Sequence, residues 1–346
     1  MCAHLVTPSL GVDDTSVLPA GHWSASVAFR YYNSRQDVLG DEPQDIPIVY
    51  ANTHVYGFDL SVTYAVTDRF DLTLEVPFQY GTRQTSIEHG GAPHDPTNLH
   101  TMRAGGMGDP RLRADFWLLD PKKSPNRNIS VGLGIKIPIG VDDATDYSYR
   151  ATGKILRPVD PAIQPADGGW GIILASHAFT SLYFPDLPSS NWFKNTFAYA
   201  DAIYVFSPEE MNDTETPFAD EPAMTAGGDR GLRFDSIPDQ FLFRMGLSQA
   251  IWPSKGLFFS AGVRWEGVPA YDVIGGSNGW RLPGYAVSFE PAITWSHGKE
   301  YFSVSVPVAF YRHALESAPF ERLHVPGPGL ATIADYQIIL SYTHQF

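Results

Sequence analysis

The chain has 346 residues, a formal net charge of −14, 18% charged residues and 13% aromatic residues. That acidity argues against nucleic acid as a partner, because phosphate contacts require lysine and arginine. A single cysteine, Cys2, rules out an intramolecular disulfide. No apolar run approaches the roughly 18 residues of a membrane helix, but alternating strands cross a bilayer without one.

The start of the chain, "MCAHLVTPSLGVDDTSVLPAGHW", lacks a charged stretch followed by an apolar run, so no intact signal peptide is expected. Either the protein stays inside or its targeting segment is absent, with lipid modification of Cys2 as a further alternative. "HWSASVAFRYY" is the first candidate strand. Next, "YGFDLSVTYAV" puts Tyr56, Phe58, Leu60, Val62, Tyr64 and Val66 on one face and Gly57, Asp59, Ser61, Thr63 and Ala65 on the other. After "TDR", "FDLTLEVPFQY" repeats the rule, with Asp71, Thr73, Glu75, Pro77 and Gln79 on its polar face. Strict period two on both sides of a tight connection predicts a hairpin.

The pattern continues along the chain. "PRLRADFWLL" opposes Leu112, Ala114, Phe116 and Leu118 to Arg111, Arg113 and Asp115. "ISVGLGIKIPIG" sets Ile129 to Ile139 against Gly132, Gly134, Lys136 and Pro138. "FLFRMGLSQAI", "LFFSAGVRWEG", "VSFEPAITW" and "YFSVSVPVAFY" follow, with Arg244, Arg264, Glu266 and Glu290 on their polar faces. "GIILASHAFTSLY" and "WFKNTFAYADAIYVF" read as strands whose faces the pattern does not assign. The last is "YQIILSYTHQF", which ends the chain on Phe346.

Connections alternate in length. Short ones fall near 67–69, 120–127, 184–190, 253–256 and 297–300, and long ones near 34–53, 82–105, 141–168, 207–237, 267–284 and 313–331. An outer-membrane barrel requires this alternation, with tight periplasmic turns and long outer loops. Polarity assigns the faces. Packing the small polar face as a core would bury charge at several kcal/mol per unpaired group, whereas lipid accepts only the apolar face. The expected fold is all-β: a closed antiparallel transmembrane β-barrel of about twelve strands over 22–346, preceded by a periplasmic segment, 1–21.

"GMGDPRLRADFWL", "VGLGIKIPIG" and the late "GGSNGWRLPGY" loop resemble the bacterial outer-membrane family of meta-pathway phenol-degradation proteins. The resemblance spans roughly 55–346. It implies a porin-like outer-membrane channel of a Gram-negative bacterium, linked to uptake of aromatic or other hydrophobic compounds. The closing strand is similar to the terminal signal of outer-membrane barrels. That resemblance implies that Tyr342 and Phe346 are read by the barrel-insertion machinery.

By strand position, Asp59, Glu75, Arg113, Lys136, Arg244 and Glu290 are expected at one level of the lumen. Three acids and three bases there would form a constriction with a transverse field. The alternative is a salt-bridge lattice that fills a narrow barrel. His89, His94 and His100 share one loop with Asp95, yet Pro/Gly spacing preforms no metal geometry, so an exposed loop is expected. The acidic stretches "DDATD" (142–146) and "SPEEMNDTETPFADE" (207–221) match no calcium-loop template and read as solvated charge. Ser176 and His177 fall on opposite faces of a strand, and no GxSxG or HExxH occurs, so no catalysis and no cofactor are expected. The functional expectation is passage of small solutes, with outer-membrane lipid and lipopolysaccharide around the wall. An outer-membrane lipase or protease, or a structural barrel whose acidic loops bind a partner, are the rival readings.

Overall fold

A computed structural model describes residues 17–45, 50–86, 95, 97–150, 153–184, 186, 193–217, 219, 230–324 and 329–346. Fourteen strand segments form one sheet, and two pairs of them are single strands with an interruption, which gives a closed barrel of twelve. The wall strands are β1 (Trp23–Ser34), β2 (Asn52–Thr67), β3 (Phe70–Thr85), β4 (His100–Met107 and Arg111–Trp117), β5 (Arg127–Lys136) and β6 (Gly171–Ser181). Then come β7 (Thr196–Phe206), β8 (Gln240–Trp252), β9 (Leu257–Val268), β10 (Gly284–His297), β11 (Glu300–Ser305 and Val308–Ala314) and β12 (Tyr336–Gln345). Every neighbour in this order pairs antiparallel.

Closure is made by the last strand. β12 pairs with β1 from Ser24 opposite Gln345 to Asn33 opposite Tyr336, and the Phe346 amide donates to the Trp23 carbonyl at 2.7 Å. No strand edge is therefore left for another chain to pair with at this seam. The expected turns are short for a physical reason. Gly256 and Gly298 sit at φ 66° and 64°, in the left-handed region that glycine enters without penalty. A Cβ on Gly256 would also meet the Ser296 carbonyl oxygen at 1.9 Å.

The apolar face points outward, as the alternation predicts. Phe58 is 48% exposed, Leu133 61% and Met245 65%, while Arg264 on the opposite face is 0% exposed. Outer aromatics form two bands. Tyr31, Tyr56 and Tyr80 contact one another in sequence across β1–β3, and Phe243, Trp265, Tyr285 and Tyr311 across β8–β11. At the periplasmic end Trp23 meets Tyr64, and Trp295, Phe302 and Tyr342 stack in turn. Such rings belong at membrane–water interfaces, where an amphipathic ring satisfies both sides.

Several strands depart from the expected bounds. β3 runs on to Thr85 and β4 already begins at His100, both inside the connection expected at 82–105. His100 is therefore a strand residue rather than a loop residue. β5 stops at Lys136 rather than near 140. Beyond it the chain meets the interruption in β4: the Ile137 amide bonds Pro110 O at 2.8 Å, Gly140 N bonds Asp109 Oδ1 at 3.0 Å and Val141 N bonds Met107 O at 2.8 Å. Pro110 and Pro138 lack the amides a continuous ladder would need there. β11 breaks likewise at Val306–Pro307. The faces that sequence did not assign are also explained. On β6–β8, Ile173, Ile203, Val205 and Leu242 point inward and pack together, and Ala200 and Ala202 lie on the outer face. Local inversion of polarity removes the signal.

Candidate functional site: a filled lumen and its inward loop

The long connection between β5 and β6 does not stand in solvent. It runs into the mouth of the barrel. Ile163, 0% exposed, packs with Val159 against Tyr32, Val55 and Ala104 on the inner wall and Ala334 before β12. Small wall residues make room: a Cβ on Gly81 would lie 2.7 Å from Ile163 Cβ, and one on Gly106 2.8 Å from Val141 Cγ2. Gln164 fastens both ends of the excursion by accepting from the Ala144 amide at 3.1 Å and donating to the Ala144 carbonyl at 3.2 Å. Toward the outer rim from these residues Arg83 pairs with Asp160 at 3.3 Å.

All six predicted lumen charges face inward, and five of them are held by a partner outside the set. Glu75 binds Arg111 at 2.5 Å, Arg113 binds Asp115 at 2.8 Å, and Lys136 binds Asp167 of the inward loop. Arg244 and His177 hold the two oxygens of Asp201 at 2.5 Å each. Glu290 lies 3.7 Å from Arg264, which also bonds Glu266 at 2.9 Å. Asp59 sits beside Arg30 and Arg111 in one cavity wall. The arrangement is a set of separate ion pairs rather than three acids facing three bases. Burial dictates this, because a lumen charge shielded from bulk water needs a countercharge at contact distance.

Sequence reasoning passed over Arg111, Asp115, Asp201, Arg264 and Glu266. Period two already placed Arg111, Asp115, Arg264 and Glu266 inward, and only their pairing was missing. Asp167 carries no such signal, since it reaches the lumen from a loop.

Cavities remain between the pairs. An outer one of about 520 Å³ is lined by Asp142, Gln164, Asp167, Asp235, Gln240 and Trp280, among others. A middle one of about 410 Å³ shares Ala166, Asp167 and Gln240 with it and reaches Asp59 and Arg111. An inner one of about 360 Å³ shares Arg111 and opposes Glu75, Arg111 and Arg113 to Ile173, Ile203 and Val205. Outside the spanning strands, burial raises the carboxyl of Asp142, helped by Asp143, Asp167 and Asp213. Burial also pushes Asp235 well above the ordinary aspartate value, with Asp160 adding and Arg157 opposing. At the periplasmic turn, the hydrogen bond from Lys122 lowers Asp68.

The remaining sequence expectations meet mixed outcomes. His89 and His94 lie outside the described residues, and the His100 ring stacks on Tyr149 at 3.8 Å. The acidic stretches are not simply solvated. Asp142 lines the outer cavity, Asp146 accepts from Arg103 N at 2.7 Å, and Glu209 accepts from Trp170 N at 2.9 Å. Asp142 faces the cavity because the loop between β5 and β6 packs on the inner wall, whereas Asp143, Glu209 and Asp213 stay exposed as expected. Ser176 and His177 do point to opposite sides: Ser176 Oγ bonds Ser130 O at 3.0 Å, and His177 faces Asp201 in the lumen.

No protein-family model matches the chain, and no curated protein matches it. Among solved structures, the COG4313 outer membrane channel from Pseudomonas putida F1 is similar over 98% of this chain and 100% of its own, at 13% identity and a TM-score of 0.58. The β domain of the Bordetella autotransporter BrkA covers 94% of this chain and 100% of its own, at 11% identity and a TM-score of 0.46. The Ralstonia pickettii toluene transporter TbuX covers 95% of this chain and 91% of its own, at 12% and 0.41. The first shares the fold, a closed β-barrel, over nearly the whole length. The other two are too distant to add to it.

Proposed function

We propose that the protein is a channel of the bacterial outer membrane for passive or facilitated passage of small solutes. One observation carries this reading: the three cavities follow one another down the lumen and share lining residues at each junction. Lys136, Asp167 and Gln240 border the first junction, and Glu75 and Arg111 the second. Paired charges around the middle and inner cavities keep those walls wettable, and the width and charge pattern of the lumen select what passes. Glu75, Arg113, Lys136, Arg244 and Glu290 act in this path as members of ion pairs, and Asp59 as a carboxyl in the middle cavity beside Arg30 and Arg111. The segment 141–168 is the gate, since it fills the mouth.

The inner cavity has one apolar and one charged wall. It suits a ring-sized solute with a single polar group, in keeping with the aromatic compounds implied by the resemblance to phenol-degradation proteins. The outer belt is solvated by lipid and, on the loop side, by lipopolysaccharide. Tyr342 and Phe346 serve assembly: deleting Phe346 is expected to lower insertion in cells more than it lowers conductance of the barrels that do insert.

Reconstitution of the full chain into liposomes tests the channel. Uptake of phenol-sized solutes is expected to exceed that of protein-free liposomes, with a larger sugar passing more slowly. A barrel that refolds fully and leaves permeability at the protein-free level would refute the reading.

A further inference from the structure

The outer cavity contains an electrostatic mismatch built from several neighbouring groups. Asp235, in the strand Phe234–Ser236 of the loop before β8, is 5% exposed, and its Oδ1 is fully buried with no hydrogen-bond partner. A buried carboxylate without a partner costs several kcal/mol. Gln240 Oε1 and Ser236 Oγ, on the same cavity wall, are also buried without partners. The Gln240 amide cannot be turned to cure this. Its Nε2 donates to Asp167 Oδ2 at 3.1 Å, and a carboxylate accepts only. With Asp142 and Asp167 alongside, the wall therefore presents acceptors and negative charge.

The nearby cations are already committed. Arg281 holds both oxygens of Asp272 at 2.6 Å, and Lys136 holds Asp167. Arg157, the cation that acts on Asp235, donates to the carbonyls of Thr216 and Pro217. Among the described residues, no three His, Cys, Asp or Glu side chains converge enough to hold a metal ion. The rest of the wall mixes the apolar Trp280, Val268, Pro161, Pro238 and Ala166 with Gln164, Asn212 and the Asp272-paired Arg281.

We infer that this cavity is a binding site for a small organic cation, a primary ammonium on a ring-sized apolar body, with Asp235 as its counter-ion. An ammonium brings three donors and a full positive charge. Asp235, Gln240 and Ser236 take the donors, and Trp280 with Val268 covers the ring. A phenol brings one donor and no charge, so it leaves the carboxylate uncompensated. The site rests on the channel reading only for access from outside. Its occupancy is measured without any transport.

Calorimetric titration of the full-length protein in detergent micelles with benzylamine, benzyl alcohol and benzoate tests the inference. These share one shape and differ in charge. Benzylamine is expected to bind about tenfold or more tighter than benzyl alcohol, a gap of about 1.4 kcal/mol, and benzoate not to bind. Asp235→Asn is expected to lose the amine preference and, in the absence of amine, to raise the melting temperature, since it removes an unpaired charge. A merely structural Asp235 would lower it. If Asp235→Asn fails to refold, Asp142→Asn carries the test through a smaller loss of amine affinity. Equal binding of amine and alcohol, preference for benzoate, no amine binding, or undiminished amine binding by the substituted protein would each overturn the site. Solute uptake into liposomes by that same protein shows separately whether the channel stands.

Discussion

The two halves of the lumen are held by different means. The inner half is strand-built. Its side chains pair across the ladder: Ser26 with Thr343 at 2.8 Å, Thr63 with Thr73 at 2.9 Å, Ser248 with Ser260 at 2.9 Å and Ser303 with Ser341 at 2.6 Å. Above them, on the same strand-built walls, lie ion pairs such as Arg264–Glu266. The outer half is loop-built, by an excursion that packs Val159 and Ile163 onto Tyr32, Val55 and Ala104. Ladder pairs cannot part without opening the barrel. A loop seated on a few apolar contacts can leave while the wall stays intact. Stability therefore belongs to the inner half and gating to the outer.

This contrast breaks first at Arg264. Arg264→Met strips the countercharge from Glu266 and Glu290, and unfolding free energy is expected to fall by about 3–5 kcal/mol. Denaturant titration of the refolded barrel reads this. Ile163→Ala should cost less, about 2–4 kcal/mol, and the loss should be confined to the loop. Limited proteolysis should cut within 141–168 while the barrel's own unfolding transition stays in place. Acidity sharpens the contrast further. Asp142 and Asp235 have raised carboxyls. An acid raised in the folded state stabilises it while protonated, fully below the unfolded value of about 4, and this is lost as pH rises through the folded value. Protease resistance of the loops is thus expected to increase toward about pH 4 relative to neutral pH. Ser303→Ala should matter least, about 0.5–1.5 kcal/mol for one hydroxyl pair, with conductance unchanged.

Legibility in the sequence divides along the same line. Period two revealed the wall, the lipid face of β2, β3, β5 and β9, the seam between β12 and β1, and the inward direction of all six lumen charges. Local rules suffice there, because a strand's phase fixes every side chain's direction. Pairing was not legible. Arg113 finds Asp115 two residues away, whereas Lys136 finds Asp167 from a loop. The inward turn after Lys136 depends on Ile163 meeting Val55 and Tyr32, contacts between distant parts of the chain with no local signature. The β6–β8 patch failed for another reason. Its inner face is Ile173, Ile203 and Val205 and its outer face carries alanines, so polarity no longer distinguishes lumen from lipid.

The central claim is that the excursion between Ala144 and Gln164 closes a barrel otherwise able to conduct. Because Gln164 hydrogen-bonds both polar groups of the Ala144 backbone, residues 145–163 can be replaced by a short glycine–serine link without moving either end. Single-channel recording of this shortened chain beside the full-length protein is the direct measurement. Larger and longer-lived conductance steps from the shortened chain are the predicted result. Steps of the same size and duration from both, with both barrels fully folded, would contradict it.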